Sequence, residues 1–150
     1  MARALIVACG CRGRELGREL LAEGWAVRGT SRSEAGLVAI EAAGIEPALA
    51  DPERPGTILE LVGDVAVLVL LFGGLAGDGD QVAAVHGPRL ERLLERLVET
   101  PVRGVVYEGT EEGAEIVHRA GRTWRIPAAM LGADDDSAAA VRSVLAGRAT

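Results

Sequence analysis

Six short apolar runs alternate along the chain with stretches whose apolar positions recur every three or four residues. The runs are Arg3–Ala8, Trp25–Gly29, Ile45–Ala50, Asp64–Phe72, Val102–Tyr107 and Ile126–Leu131. They are short, aliphatic and rich in β-branched residues, which predicts strands. Asp64–Phe72 is the most hydrophobic and reads as a central strand buried on both faces. Between the runs, Gly13–Glu23 carries Leu16, Leu20 and Leu21 at helical spacing and stops at Gly24. Ser33 is placed to cap a helix over Glu34–Ala43 that Gly44 ends. A brief helix is expected over Thr57–Val62, and a long one over Gln81–Glu99 with Gly87-Pro88 as a kink. Gly113–Ala120 and Ser137–Ala146 complete the helices, the last preceded by Asp134-Asp135-Asp136 as a start signal. Gly73–Asp80 reads as a flexible loop.

Strict alternation of strand and helix implies a parallel sheet covered by helices on both faces. The fold class is therefore α/β, a three-layer doubly wound sheet of about six strands. One domain over residues 1–150 is expected, with no linker, repeat or substrate lobe. A closed eight-fold barrel would need roughly 250 residues.

Composition narrows the chemistry. Apolar residues make up 49% of the chain but aromatics only 3%, so the core must be aliphatic. The formal charge is −6 with no basic run, which disfavours a nucleic-acid partner. All 16 basic residues are arginine, and the chain holds neither lysine nor asparagine. Every mechanism that needs a lysine amine is thereby removed. No apolar run approaches the ~20 residues of a membrane helix. The N-terminus lacks a signal-peptide pattern, so a soluble, cytoplasmic protein with no membrane partner is expected. Cys9 and Cys11 are too close for an unstrained disulfide and read as free thiols. No metal is expected.

The first strand runs into Ala8-Cys9-Gly10-Cys11-Arg12-Gly13, and a helix follows. Strand, glycine-rich turn and helix is the arrangement that brings backbone against a pyrophosphate at a helix N-terminus. Gly10 would allow that approach and Gly13 close helix–strand packing, while Ala8 occupies the first glycine slot. After the second strand comes Gly29-Thr30-Ser31-Arg32-Ser33, with no carboxylate to accept from a ribose 2′-hydroxyl. Hydroxyls and guanidinium groups suit a 2′-phosphate, so Thr30, Ser31 and Arg32, joined by Arg12 from the turn, favour NADP over NAD.

These residues resemble the epimerase/dehydratase branch of the short-chain dehydrogenase/reductase superfamily, including its atypical NADP-binding members. Leu5–Leu16 looks like the family's first strand and turn, and Leu20–Arg32 like its path into the second strand. Ala43–Asp51 is similar to its third strand, and the similarity covers about residues 3–108. The resemblance implies a Rossmann domain of strand order 3-2-1-4-5-6. It also implies that Asp51 faces adenine and that Leu71, Phe72 and Gly73 line the ribose and nicotinamide side. Together with Ala8, Gly10, Cys11, Arg12, Gly13, Thr30, Ser31 and Arg32 these are the expected cofactor-binding residues. The family's enzymes use a Tyr-x-x-x-Lys pair. Here the one tyrosine, Tyr107, is the candidate catalytic residue, but Glu111 stands where the lysine would be.

The other chemistry-bearing residues change little. Glu108, Glu111, Glu112 and Glu115 read as a solvated helix start. His86 and His118 lie on expected helices, far apart in sequence. Arg89–Glu99 alternates Arg and Glu on a solvated face, in a region that often dimerises in the family, so a homodimer is a candidate assembly. Three functional readings result. The first is a cofactor-binding or sensing module without the family's catalysis. The second is a minimal NADP-dependent oxidoreductase or isomerase completed by the Gly73–Gly79 loop, the residues after Tyr107 and a partner subunit. The third is an interaction scaffold that binds no nucleotide.

Overall fold

The structure is a computed structural model and describes residues 2–74 and 79–147, apart from the Gln81 side chain. Six strands form one parallel sheet: β1 (Arg3–Val7), β2 (Ala26–Ser31), β3 (Glu46–Leu49), β4 (Val67–Leu71), β5 (Gly104–Glu108) and β6 (Ala128–Met130). Their spatial order is β3-β2-β1-β4-β5-β6. The helices are α1 (Cys11–Ala22), α2 (Glu34–Ala42), α3 (Pro55–Leu59), α4 (Gly79–His86), α5 (Pro88–Leu97), α6 (Glu111–Trp124) and α7 (Ser137–Leu145). This is the doubly wound architecture that the alternation and the resemblance imply. β1 pairs with β2 on one side and with β4 on the other, so the strand order reverses between them.

The two faces of the sheet explain the near-continuous apolar runs. Leu5, Val7, Leu68, Leu70 and Phe72 point into one core, closed by Ile58 of α3, Leu90, Leu93, Leu94 and Leu97 of α5, and Val117 of α6. Ala4, Ile6, Val67, Val69 and Leu71 point into the other, closed by Leu16 and Leu20 of α1, Ile40 of α2 and Val141 of α7. Residues 4–7 and 67–70 are completely buried, as parallel strands covered on both faces must be.

The structure corrects several boundaries. α1 opens at Cys11 rather than Gly13, because Gly10 already serves as its N-cap. α3 starts at Pro55, two residues earlier than expected, with the proline in its first turn where no amide hydrogen is needed. The expected long helix is broken rather than kinked. Gly87 leaves helical geometry (φ −124°, ψ −106°) and Pro88 opens α5. α6 runs on to Trp124 and ends at Arg125 in a left-handed conformation (φ 57°). Of the expected Gly73–Asp80 loop, Leu75–Asp78 lie outside the described residues, and Gly79 and Asp80 open α4. No helix among the described residues is long and apolar enough to cross a membrane.

Candidate nucleotide site

The β1–α1 turn is held by β2. Ala8 sits in the left-handed region (φ 59°). Its N–H donates to the Thr30 hydroxyl at 3.2 Å, and the Cys9 N–H donates to the Thr30 carbonyl at 2.9 Å. Gly10 N–H then donates to the Ala8 carbonyl at 2.9 Å, which completes the tight reversal. No side chain caps the first turn of α1. Side chains cap α2, α6 and α7, through Ser33, Thr110 and Asp136, whereas α3 and α5 lack a side-chain cap as α1 does. The N-terminus of α1 thus keeps its positive dipole end and free amide donors for an anion.

The glycines of the turn divide their roles. A Cβ on Gly10 would meet nothing within 4 Å, so this position is open space in front of the helix. A Cβ on Gly13 would lie 3.0 Å from Cys9 Sγ, 3.1 Å from Ile6 Cγ2 and 3.3 Å from Leu71 Cδ1. Gly13 therefore permits the close approach of α1 to the sheet. Gly29 does the same from β2, where a Cβ would stand 2.8 Å from Cys9 Sγ. The Cys9 thiol fills the space between the two, and burial pushes its pKa up to about 11 against the lowering influence of Arg14. Cys11, at the start of α1, is exposed.

A cleft of about 220 Å³ lies beside the turn, lined by Ala8, Cys9, Gly10, Arg14, Thr30, Ser31, Arg32, Gly36, Ala50 and Pro52. Five expected residues meet here: Ala8, Gly10, Thr30, Ser31 and Arg32. Cys9, Arg14, Gly36, Ala50 and Pro52 were not anticipated. Arg14 follows Gly13 directly, and its place in the first turn of α1 was the available signal. Ser31 Oγ accepts from the Ser33 N–H at 3.2 Å, which fixes the bend that carries Arg32 to the cleft edge. The Thr30 side chain is buried, its hydroxyl engaged by the Ala8 N–H.

Other expected residues are placed differently. Arg12 does not turn toward β2. Its guanidinium ion-pairs with Glu108 and donates to the Ser137 hydroxyl at 3.1 Å and to the carbonyls of Gly132 and Asp135 at 3.0 and 2.8 Å. Four acceptors, at the end of β5 and beyond β6, outcompete any single contact near Arg32. Asp51 spends one carboxylate oxygen on the Glu53 N–H at 3.0 Å and lines a second cleft rather than the first. Leu71 and Phe72 are buried in opposite cores, which leaves only Gly73 of that trio exposed. Tyr107 is also buried. Its hydroxyl lies 2.6 Å from His86 Nδ1 and accepts from the Thr110 N–H at 3.1 Å, inside the core rather than at the cleft.

The second cleft is larger, about 770 Å³, between the β3–α3 connection and α5. Arg54, Arg89, Arg92 and Arg96 share it with Asp51, Glu53 and Glu60. Its charges nearly balance, and it lies away from the β1/β4 reversal where ligands of open α/β sheets sit. The smaller cleft has the better claim to the chemistry.

Compared by sequence, the chain matches no family model and no curated protein. Compared by structure, it is similar to a UDP-glucuronic acid 4-epimerase from Bacillus cereus in complex with NAD. The TM-score is 0.67 at 16% identity, over 85% of this chain and 54% of that one. It is similar to a short-chain dehydrogenase/reductase superfamily protein from Agrobacterium tumefaciens with bound NAD (TM-score 0.68, 17% identity, 85% and 48% covered). A Citrobacter triphenylmethane reductase is similar to the same degree (TM-score 0.65, 17% identity, 87% and 48% covered). The chain has the Rossmann fold of these short-chain dehydrogenase and epimerase structures and spans about half the length of these three.

Proposed function

We propose that this chain is an NADP(H)-binding module that binds and senses the cofactor without carrying out short-chain dehydrogenase chemistry. The observation that carries the reading is the cleft that joins Gly10, Ser31 and Arg32 at the uncapped N-terminus of α1. The residues fit the phosphates of such a cofactor. The open space at Gly10 and the amides of the first turn suit the pyrophosphate. Arg32, with Ser31 and Arg14, would take the 2′-phosphate, since the β2 end offers guanidinium groups and hydroxyls and no carboxylate. Ala50 and Pro52 supply apolar surface for the adenine. The NAD bound in two of the similar structures supports a nicotinamide dinucleotide as the ligand class.

Catalysis of the family type lacks its parts. The chain has no lysine, and the only tyrosine is sealed inside the core. Calorimetric titration with NADPH and NADH tests the proposal. Saturable NADPH binding is expected, tighter than NADH by about tenfold or more, as one additional charged contact supplies. No heat and no thermal stabilisation with either cofactor would leave only a scaffold role.

A further inference from the structure

We infer that the site accepts the adenosine half of the cofactor alone, and that an Arg12–Glu108 clamp closes the crest where the nicotinamide half would lie. The inference rests on the nucleotide-binding reading above. A dinucleotide in an open α/β sheet straddles the point where strand order reverses, with one half on each side. Here the reversal lies between β1 and β4. The 220 Å³ cleft lies wholly on the β1–β2–β3 side, and its lining includes no residue of β4, β5 or β6. It is smaller than the ≈ 300–1,000 Å³ typical of pockets for whole small-molecule ligands.

Among the described residues, the side chains of Arg12 and Glu108 lie across the other side of the reversal. Arg12 leaves the first turn of α1, the turn that would meet the pyrophosphate, and crosses to the last residue of β5 and the segment after β6. It is held there by the Glu108 carboxylate, the Ser137 hydroxyl and the carbonyls of Gly132 and Asp135. Asp135 fastens the far end, since its carboxylate accepts from the Gly132 N–H at 2.7 Å. Glu108 in turn lies over the second residue after β4: a Cβ on Gly73 would stand 2.8 Å from Glu108 Oε1. Both partners are mostly shielded, the Arg12 side chain 25% and the Glu108 side chain 20% exposed. A nicotinamide ribose could settle on the ends of β4 and β5 only after this clamp opened. Binding of that half would be weakened by the fraction of time the clamp is closed. The adenosine half is untouched by it. The site would then report the presence of the 2′-phosphorylated cofactor without distinguishing its oxidised from its reduced form.

Calorimetry of the full chain with NADP⁺, NADPH and adenosine 2′,5′-bisphosphate tests this. The three dissociation constants are expected to agree within about threefold, less than 1 kcal/mol. Either dinucleotide binding more than about tenfold tighter than the bisphosphate would overturn the inference while leaving the nucleotide-binding reading intact. Absence of binding by all three would remove that reading and this inference with it. Arg12→Ala, and Glu108→Gln as the milder change, should raise the affinity for NADP⁺ relative to the bisphosphate by about fivefold or more, because they remove the closed state. A ratio unchanged in both folded variants would also overturn it.

Discussion

The hydroxyl of Tyr107, at the C-terminal end of β5, lies 2.6 Å from Nδ1 of His86, the last residue of α4. The Tyr107 hydroxyl also accepts from the Thr110 N–H, so it joins the β5–α6 turn to the His86 ring. The rings of Phe72, His86 and Tyr107 stand edge to face, with centroids 5.9–6.1 Å apart. The group bridges β4, β5 and α4 within the core and satisfies its polar atoms internally. A tyrosine so enclosed is a structural anchor rather than a proton donor to a ligand.

This pairing predicts an acid-sensitive stability. Burial lowers the His86 pKa, opposed by the Phe72 hydrogen bond and the charge of Glu112. The unfolded chain takes up a proton near pH 6.5 and the folded one only below that. The stabilisation is complete above about pH 6.5 and is lost as pH falls through the lower folded value. The melting temperature should therefore drop between about pH 7.5 and 5.5. His86→Gln keeps a polar partner for Tyr107 and should flatten that dependence; an unchanged slope would remove His86 as its source.

The glycines around Tyr107 predict a local steric effect. A Cβ on Gly113 would lie 2.5 Å from Tyr107 Cζ, and one on Gly109 2.6 Å from it and 2.7 Å from His86 Cε1. Gly113→Ala removes a glycine from the first turn of α6, which in open space would stabilise by up to about 1 kcal/mol. Here overpacking should win and destabilise by about 1–3 kcal/mol, read from urea unfolding.

Gly10 and Gly13 should separate binding from folding in the same way. Gly10→Ala meets no atom and should leave stability within about 0.5 kcal/mol of the parent while weakening NADPH several-fold by obstructing the phosphate. Gly13→Ala presses on Cys9, Ile6 and Leu71 and should cost about 1–3 kcal/mol of stability. Equal losses of stability in the two variants would contradict the assignment of Gly10 to ligand space.

Much of this organisation was legible because it is local. Ser33 and Asp136 accept from the N–H groups of Gly36 and Ala139, as their positions before helical stretches imply. The apolar runs gave the strands, and alternation gave the parallel sheet. Arg12 was not legible. Its acceptors lie 96 to 125 residues away, and only the assembled crest fixes its direction. Spacing likewise placed Tyr107 at a strand end without saying which way the ring turns. The glycines two and six positions after it were the unread sign of a ring folded back over the next helix.

The two thiols should differ sharply in reactivity. Cys11 is exposed at the first position of α1, whereas Cys9 is buried with its pKa pushed up to about 11. The thiolate is the reactive form. An alkylating or disulfide reagent at neutral pH should therefore modify Cys11 alone, and Cys9 only on unfolding, as intact mass would show. NADPH should slow modification of Cys11, which adjoins Gly10, if the cofactor occupies the turn.

Ala8 offers the most direct test of whether the turn is fixed by backbone geometry. It adopts φ 59° with a methyl group attached, a conformation that costs an L-residue about 1–2 kcal/mol. The residue is held there by three bonds: its own N–H to Thr30 Oγ1, the Cys9 N–H to the Thr30 carbonyl, and the Gly10 N–H to the Ala8 carbonyl. Glycine would adopt the same φ without strain. It would also loosen the unfolded chain, which offsets about 0.4–1 kcal/mol of the gain. Ala8→Gly should thus leave stability unchanged or raise it by up to about 1 kcal/mol. Ala8→Val should lower it by more than 1 kcal/mol, roughly, since a β-branched residue is a true outlier at positive φ. The Thr30→Val variant removes the acceptor for the Ala8 N–H, and it should cost about 1 kcal/mol by leaving that donor unpaired. If Ala8→Val were tolerated as well as Ala8→Gly, the turn would not hold the left-handed geometry on which the opening in front of α1 depends.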